Sequence, residues 1–194
     1  MPGYELPSLL RARLEALPDG LRAHVERVRQ LARDLAARHG IDPRMADLTA
    51  AAHDVARHIE PRRLLDEAGR LGIGVNEVER AEPVLLHGPV GAAWLRDEGS
   101  VTERDALEGV RWHTTTHPDL NPLARVVLLA DKLDPRKLRQ YPFQEQVREA
   151  ALRDLDEGLS VFLDGALRQS IDAGRLVHPA SVAARNALLL AKSC

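Results

Sequence analysis

Aromatic side chains are scarce in this chain: two tryptophans, two tyrosines and two phenylalanines make up 3 % of 194 residues. Single-stranded nucleic acid is gripped by stacking its bases on aromatic platforms, so that mode of binding is not expected. Cysteine is almost absent, with Cys194 alone at the end of the sequence. One thiol closes no intramolecular disulfide and builds no thiolate metal site. An excess of either charge is missing too. The 27 Lys and Arg are interspersed among 29 Asp and Glu, a net charge of −2, which marks neither a nucleic-acid nor a membrane-surface binder. The longest apolar runs, such as Val126 to Ala130 and Ala187 to Ala191, are too short to span a bilayer. Met1-Pro-Gly-Tyr-Glu5 lacks the basic and apolar regions of a secretory signal. The cytoplasm is therefore the expected compartment. Alternating strand patterns, internal repeats and dividing linkers are absent as well.

What remains is helical periodicity. The hydrophobic fraction, 44 %, is enough for a core. Leu6 to Leu17 reads as a short amphipathic piece, stopped by the turn residues Pro18-Asp-Gly20. Leu21 to His39 carries the stripe Leu21, Val25, Val28, Leu31 and Leu35, and Gly40 ends it. Asp42-Pro43 opens the next helix, whose stripe of Met45, Leu48, Ala52, Val55 and Ile59 predicts helix as far as Pro61. Further helices are expected from Pro61 to near Gly69, from Asn76, over Pro89 to Asp97, and over Thr102 to His113 behind a Thr-x-x-Asp box. The last are Pro122 to Asp131, Gln144 to Gly174 and Pro179 to Lys192. Gly69 to Gly74 follows no strand and does not match a dinucleotide fingerprint, so it reads as a loop. The expectation is an all-α single domain over residues 19–194, with residues 1–18 as a short N-terminal helical extension. His39, His58, His117 and His178 are expected at the surface, and Trp94 and Trp112 in the core.

Six polar residues stand beside apolar neighbours: His24, His53, Asp54, His87, His113 and Asp131. Taken singly, each has an ordinary explanation as a hydrogen-bonded core residue or a salt-bridge member. Together they place four histidines and two aspartates on five helical segments, which is how helical bundles assemble metal sites. Histidine nitrogen with carboxylate oxygen and no sulfur suits iron, manganese or zinc. Six ligands exceed one tetrahedral zinc. They suit two metals sharing a carboxylate, and a pair roughly 3.5–4 Å apart is suited to hydrolysing phosphate esters.

The order His24, His53-Asp54, His87, His113, Asp131 resembles the HD-domain phosphohydrolase superfamily in its two-metal form. Leu85-Leu-His-Gly88, Trp112-His-Thr-Thr-Thr116 and Leu129-Ala-Asp-Lys132 with Asp134-Pro135 are similar to the YqeK-type branch. Those are bacterial symmetrical diadenosine-tetraphosphate hydrolases that use iron. The likeness runs from about Leu21 to Ala184-Arg-Asn186. It implies that His24, His53, Asp54 and Asp131 hold one metal, and that Asp54 bridges to a second held by His87 and His113. The implied cofactor is two divalent ions, iron with manganese as alternative, and His53, Asp54 and His113 belong to the catalytic group. The implied reaction turns diadenosine tetraphosphate into two ADP. Hydrolysis of a nucleoside mono- or triphosphate, or metal-bound nucleotide sensing without turnover, are the rival readings.

Arg57, Thr114, Lys132 and Arg136 each fall within about a turn of a ligand position and are the expected phosphate contacts. No nucleic-acid or membrane partner is expected, and a homodimer is left open. Four places depart from the family pattern. Its arginine three residues before the first histidine is Leu21 here, with Arg22 about 100° further round the helix. Arg57 replaces a lysine, Thr116-His117 replaces a glycine, and Asp134-Pro135 replaces Glu-Pro.

Overall fold

Residues 5–192 are described by a computed structural model; the readings of Met1 to Tyr4 and of Cys194 lie outside the described residues. Among those described, the chain forms α1 (Ser8–Glu15), α2 (Asp19–Arg38), α3 (Pro43–Ala52), α4 (Pro61–Arg70), α5 (Glu77–Ala81) and α6 (His87–Asp97). Then follow α7 (Arg104–Trp112), α8 (Pro122–Lys132), α9 (Gln144–Arg153), α10 (Leu155–Asp172) and α11 (Pro179–Lys192). Single 3₁₀ turns span Pro83–Leu86 and Pro135–Lys137, and no strand occurs among these residues. The fold is all-α, as the periodicity indicates. Among the described residues, no helix is long and apolar enough to cross a membrane.

Two helices are buried on nearly every side. In α3 every residue from Ala46 to Ala52 is buried, and in α8 every residue from Leu123 to Lys132 except Arg125. A helix apolar all round belongs inside a bundle. α2 lies against both, presenting His24, Val25, Val28, Ala32, Leu35 and Ala36. α7 closes over α3 and α8, and α10 packs on α8 from another side. Leu10 and Leu14 of α1 join the same core. The small residues of α3 and its neighbours set how near the helices come. A Cβ on Gly109 of α7 would sit 2.7 Å from the Thr49 methyl of α3. The buried Asp47 of α3 is the polar tie between the two long partners. Arg29 of α2 donates to both its oxygens, at 3.0 and 2.8 Å, and Arg33 donates to it too. A carboxylate buried there needs such pairing.

Several boundaries differ from the sequence expectation. The Pro18-Asp-Gly20 segment is the first turn of α2, because the Pro18 carbonyl accepts the N–H groups of Leu21 and Arg22 at 2.9 Å. α3 stops at Ala52, although its apolar stripe continues to Ile59. The cause is local. His53 Nδ1–H donates to the Ala50 carbonyl at 2.6 Å, the acceptor that the Asp54 N–H would use in a continuing α-helix. The chain then advances by tight turns, with Arg57 N–H on the Asp54 carbonyl and Ile59 N–H on that of Ala56. α6 begins at His87, two residues before Pro89, and α7 at Arg104 without a cap from Thr102. The expected helix from Gln144 to Gly174 is two. Asp154 is extended (φ −153°, ψ 136°) and its Oδ1 caps α10 by accepting from Asp156 and Glu157. His178, expected at the surface, is buried: its Nε2 lies 3.0 Å from Asn76 Nδ2 and 3.4 Å from Glu79 Oε1, beside the capping box of α5.

Gly88 marks the closest approach of α6 to the end of α7. A Cβ there would fall 2.7 Å from the Arg111 carbonyl oxygen and 3.0 Å from that of Val110. Backbone cannot yield as a side-chain tip can. Gly88→Ala should therefore cost about 1–3 kcal/mol, seen as a lowered melting temperature; an unchanged value would mean the two helices separate freely.

Candidate metal centre

The polar residues of the site stand mostly at helix ends. His53 follows α3, His113 follows α7, His87 is the first residue of α6, and Asp131 is next to last in α8. Helix ends leave carbonyls without intrahelical partners, and the histidines use them. His53 Nδ1–H donates to Ala50 O (2.6 Å), His87 Nδ1–H to Val84 O (2.5 Å) and His113 Nδ1–H to Val110 O (2.7 Å). Each bond reaches back three residues. His24, inside α2, donates Nδ1–H to the Asp134 carboxylate at 2.5 Å. A carbonyl or carboxylate accepts only, so all four Nδ1 atoms carry a proton, and in each neutral ring Nε2 offers a lone pair.

Those lone pairs converge. His87 Nε2 and His113 Nε2 are 2.9 Å apart, and His24 Nε2 and His53 Nε2 are 3.4 Å apart. Asp54 stands between the pairs. Its Oδ1 lies 3.1 Å from His87 Nε2 and 3.4 Å from His113 Nε2, while Oδ2 lies 3.5 Å from His53 Nε2 and 3.7 Å from His24 Nε2. Asp131 Oδ1 is 3.0 Å from His24 Nε2 and 3.8 Å from His53 Nε2. All six residues are buried. Two imine nitrogens facing each other at 2.9 Å have no hydrogen to share, and imine nitrogens and carboxylates gathered this closely call for cations. The donor set fits divalent metal ions. His24, His53 and Asp131 form one group with the spacing of metal ligands, and His53, Asp54 and His113 another.

Electrostatics point the same way. Burial opposes ionisation of Asp54, yet the imidazoles of His53, His113 and His87 prevail and hold its carboxyl well below the usual range. Burial likewise opposes ionisation of Asp131, and Lys132 and Lys137 overcome it. Burial lowers His53 and takes His113 down to about 4 despite the nearby Asp54. At neutral pH both are neutral imidazoles, the form that binds metals.

The HD domain family matches residues 21–136. This chain belongs to the HD domain family. It is 32 % identical over 170 residues to a symmetrical bis(5'-nucleosyl)-tetraphosphatase of Halalkalibacterium halodurans, covering 86 % of this chain and 88 % of that one. It is 31 % identical over 136 residues to the Bacillus subtilis protein of the same name, covering 70 % and 72 %. The fold is similar to a crystal structure of a predicted HD superfamily hydrolase involved in NAD metabolism from Clostridium acetobutylicum. There the TM-score is 0.88 at 23 % identity, covering 97 % of this chain and 99 % of that one.

Around the HD cluster lies a layer in which sequence reasoning had singled out Thr114 and Lys132 and had missed Arg27, Lys137, Gln144 and the part played by Asp134. Asp134 accepts from His24 and, through both oxygens, from Arg27 at 2.8 and 2.9 Å. Burial opposes its ionisation, but Arg27 and His24 bring its pKa down to about 2. Gln144 fixes the turn beneath it by donating to the carbonyls of Lys132 (2.7 Å) and Asp134 (2.9 Å). Lys132 Nζ donates to Asp131 Oδ2 at 2.7 Å, and Lys137 Nζ donates to Asp131 Oδ1. Thr114 Oγ1 lies 3.2 Å from His87 Nε2 and 3.0 Å from His113 Nε2. The spacing of three from Asp131 to Asp134 and from His24 to Arg27 was the only sequence signal.

The cluster opens into a cavity of about 500 Å³. Arg57, Thr114 and Lys132 line it, and so do Leu21, His58 and Lys137. Arg136 is exposed and outside this lining; its neighbour Lys137 takes the place, and the Arg136 N–H donates to Asp134 Oδ1. Arg22 is exposed and donates to Asp19 at 2.7 Å, away from the cluster. His117 stacks on Trp112 with ring centroids 4.8 Å apart. Thr116 sits at φ +65°. That conformation costs a branched residue about 1–3 kcal/mol, and its hydroxyl compensates in part by donating to the Thr115 carbonyl at 2.5 Å.

Asp134→Asn removes the charged acceptor that orients His24. Such a change typically weakens metal binding by about 10–100-fold. Titration of the metal-free variant with manganese should show that loss in one binding step; an unchanged affinity would take Asp134 out of the centre.

Proposed function

We propose that this protein is a metal-dependent phosphohydrolase that cleaves a dinucleoside tetraphosphate symmetrically, turning diadenosine tetraphosphate into two ADP. The carrying observation is the division of the cluster by Asp54, with one oxygen toward His87 and His113 and the other toward His53 and His24. The naming of the two Bacillales relatives as symmetrical tetraphosphatases supports the choice of substrate. His24, His53, Asp54 and Asp131 would hold one divalent ion, and Asp54, His87 and His113 the other. Iron is the proposed metal, with manganese as alternative, since imidazole with carboxylate suits both. Bound there, such ions supply a water of lowered pKa and neutralise charge on the phosphate oxygens.

The chain's own groups do the rest. Water adds to phosphorus, the bond to the bridging oxygen breaks, and the leaving ADP keeps that oxygen. A terminal phosphate has its second pKa near about 6, so ADP leaves as an anion and needs cations more than a proton donor. Arg57, Lys132 and Lys137 line the same cavity and provide them. Thr114, whose hydroxyl faces His87 and His113, would position a phosphate oxygen or the attacking water. The cytoplasm is the proposed location.

Two measurements test this reading. Protein loaded anaerobically with ferrous iron, and in parallel with manganese, should convert diadenosine tetraphosphate to ADP alone. AMP with ATP would place attack at another phosphorus, and no turnover by loaded protein would sink the hydrolase reading. Separately, Asp54→Ala should lose both ions together and all activity, because one carboxylate serves both. Two ions still bound by elemental analysis would end its bridging role.

A further inference from the structure

A cavity of about 400 Å³ lies against the end of α7 and shares no lining residue with the cavity over the metal ligands. Its volume is in the range of small-molecule pockets, roughly 300–1,000 Å³. Ile73, Val75, Pro89 and Pro179 give it apolar walls. Its charged lining is one guanidinium, Arg111, and one carboxylate, Glu79, with His178 beside the latter.

The polar groups there have donors in surplus. Asn76 Oδ1 accepts the N–H groups of Val78 and Glu79, which fixes the amide with Nδ2 toward His178 Nε2 at 3.0 Å. Across the ring, His178 Nδ1 faces the N–H of Ala180 at 3.2 Å. An imidazole carries at least one N–H, so at least one of these contacts sets donor against donor. Glu79 Oε1, 3.4 Å from Nε2, is the acceptor this ring can use, while Oε2 takes the Asn76 backbone N–H at 2.9 Å. With the ring proton on Nε2, where Glu79 meets it, the Asn76 amide has two hydrogens and no acceptor. Arg111 lies over the Trp112 ring, its guanidinium carbon 4.8 Å from the centroid. Among the described residues, neither that guanidinium nor the Trp112 Nε1–H has a hydrogen-bond or ion-pair partner, and Nε1 is not sealed from solvent. Trp94, by contrast, spends its Nε1–H on Glu67 at 3.1 Å.

We propose that this cavity is a binding site for a small monocarboxylate with an apolar body, separate from the metal centre. The Arg111 guanidinium receives the carboxylate, its planar fork matching two oxygens. Trp112 Nε1–H and the Asn76 amide are further donors in the same lining. The apolar body rests on Ile73, Val75, Pro89 and Pro179. Charge selects the head group. Glu79 offsets Arg111, so a single negative charge is accepted and a doubly charged phosphate is disfavoured. The site thus differs in ligand class from the nucleotide site, and it stands whether or not the hydrolase function does.

The test is a ¹⁵N–¹H spectrum, in which the two tryptophans give two indole signals. Zinc-loaded protein, diamagnetic and suited to the same ligands, is titrated with benzoate, with neutral benzyl alcohol and with inorganic phosphate. Trp112→Phe identifies the Trp112 signal by deleting it. Benzoate should move that signal saturably, half-complete at or below roughly 10 mM, and leave the Trp94 signal in place. Benzyl alcohol and phosphate should move neither. Arg111→Ala, at an exposed position, should weaken benzoate by about tenfold or more. No saturable shift with benzoate overturns the proposal. Benzoate bound as tightly by Arg111→Ala, or benzyl alcohol bound as well as benzoate, makes the cavity merely apolar and overturns it too. Phosphate moving the Trp112 signal with the same dependence on Arg111 overturns the choice of head group.

Discussion

The constraint on which the structure depends is a crowd of acceptors served by few donors. Four imidazoles and two carboxylates, all buried, meet at the floor of one cavity, with His87 and His113 nitrogens 2.9 Å apart. Left alone, such a cluster repels itself, and burial raises the cost. Nothing in the apolar core rewards it. The surrounding helices hold it by force of packing: α3 and α8 bury nearly all their side chains, and a Leu128 or Leu129 fully removed from water contributes about 1.5–3 kcal/mol. The apolar core and the Asp47 ion pairs thus keep together residues that would separate.

Helix ends are the device that aims the imidazoles. Within a helix, each carbonyl is occupied four residues on. At the ends of α3 and α7 a carbonyl accepts Nδ1–H from a histidine three residues later, and in the 3₁₀ turn before α6 the Val84 carbonyl accepts both the backbone N–H and the Nδ1–H of His87. The same short reach fixes ring direction and tautomer in one step. It also ends α3, so the site's geometry and the fold's irregularity at residues 53–58 have one cause. Glycine serves this arrangement at Gly88, where α6 must touch the carbonyls that hold His113.

The helices and the six cluster positions were legible because each element carries its own pattern: stripes of three and four, Asp42-Pro43, Gly40 at φ +67°. What was not legible depends on partners far apart in the chain. The stripe Met45 to Ile59 contains no sign that His53 will take a carbonyl and stop the helix. Arg27 and Asp134 are 107 residues apart, and nothing local joins them. Arg136 and Lys137 are equivalent as basic residues in sequence; the 3₁₀ turn at Pro135–Lys137 alone turns Lys137 toward Asp131. His178 reads as a loop histidine until α5 closes over it.

Asp131 brings these threads together. Its two oxygens are contested by His24, Lys132 and Lys137. A divalent ion held with His24 and His53 would claim one of those oxygens, and an ammonium so displaced keeps its charge. For Lys132, the pull of Asp131 outweighs burial and raises its pKa, while burial lowers that of Lys137. A freed ammonium inside the cavity needs a new anion, and a phosphate group bound beside it would provide one. Metal binding and phosphate binding would then reinforce each other through one carboxylate. On that view the two lysines are part of the reason an anion prefers the metal-loaded protein, in a chain whose overall charge is slightly negative.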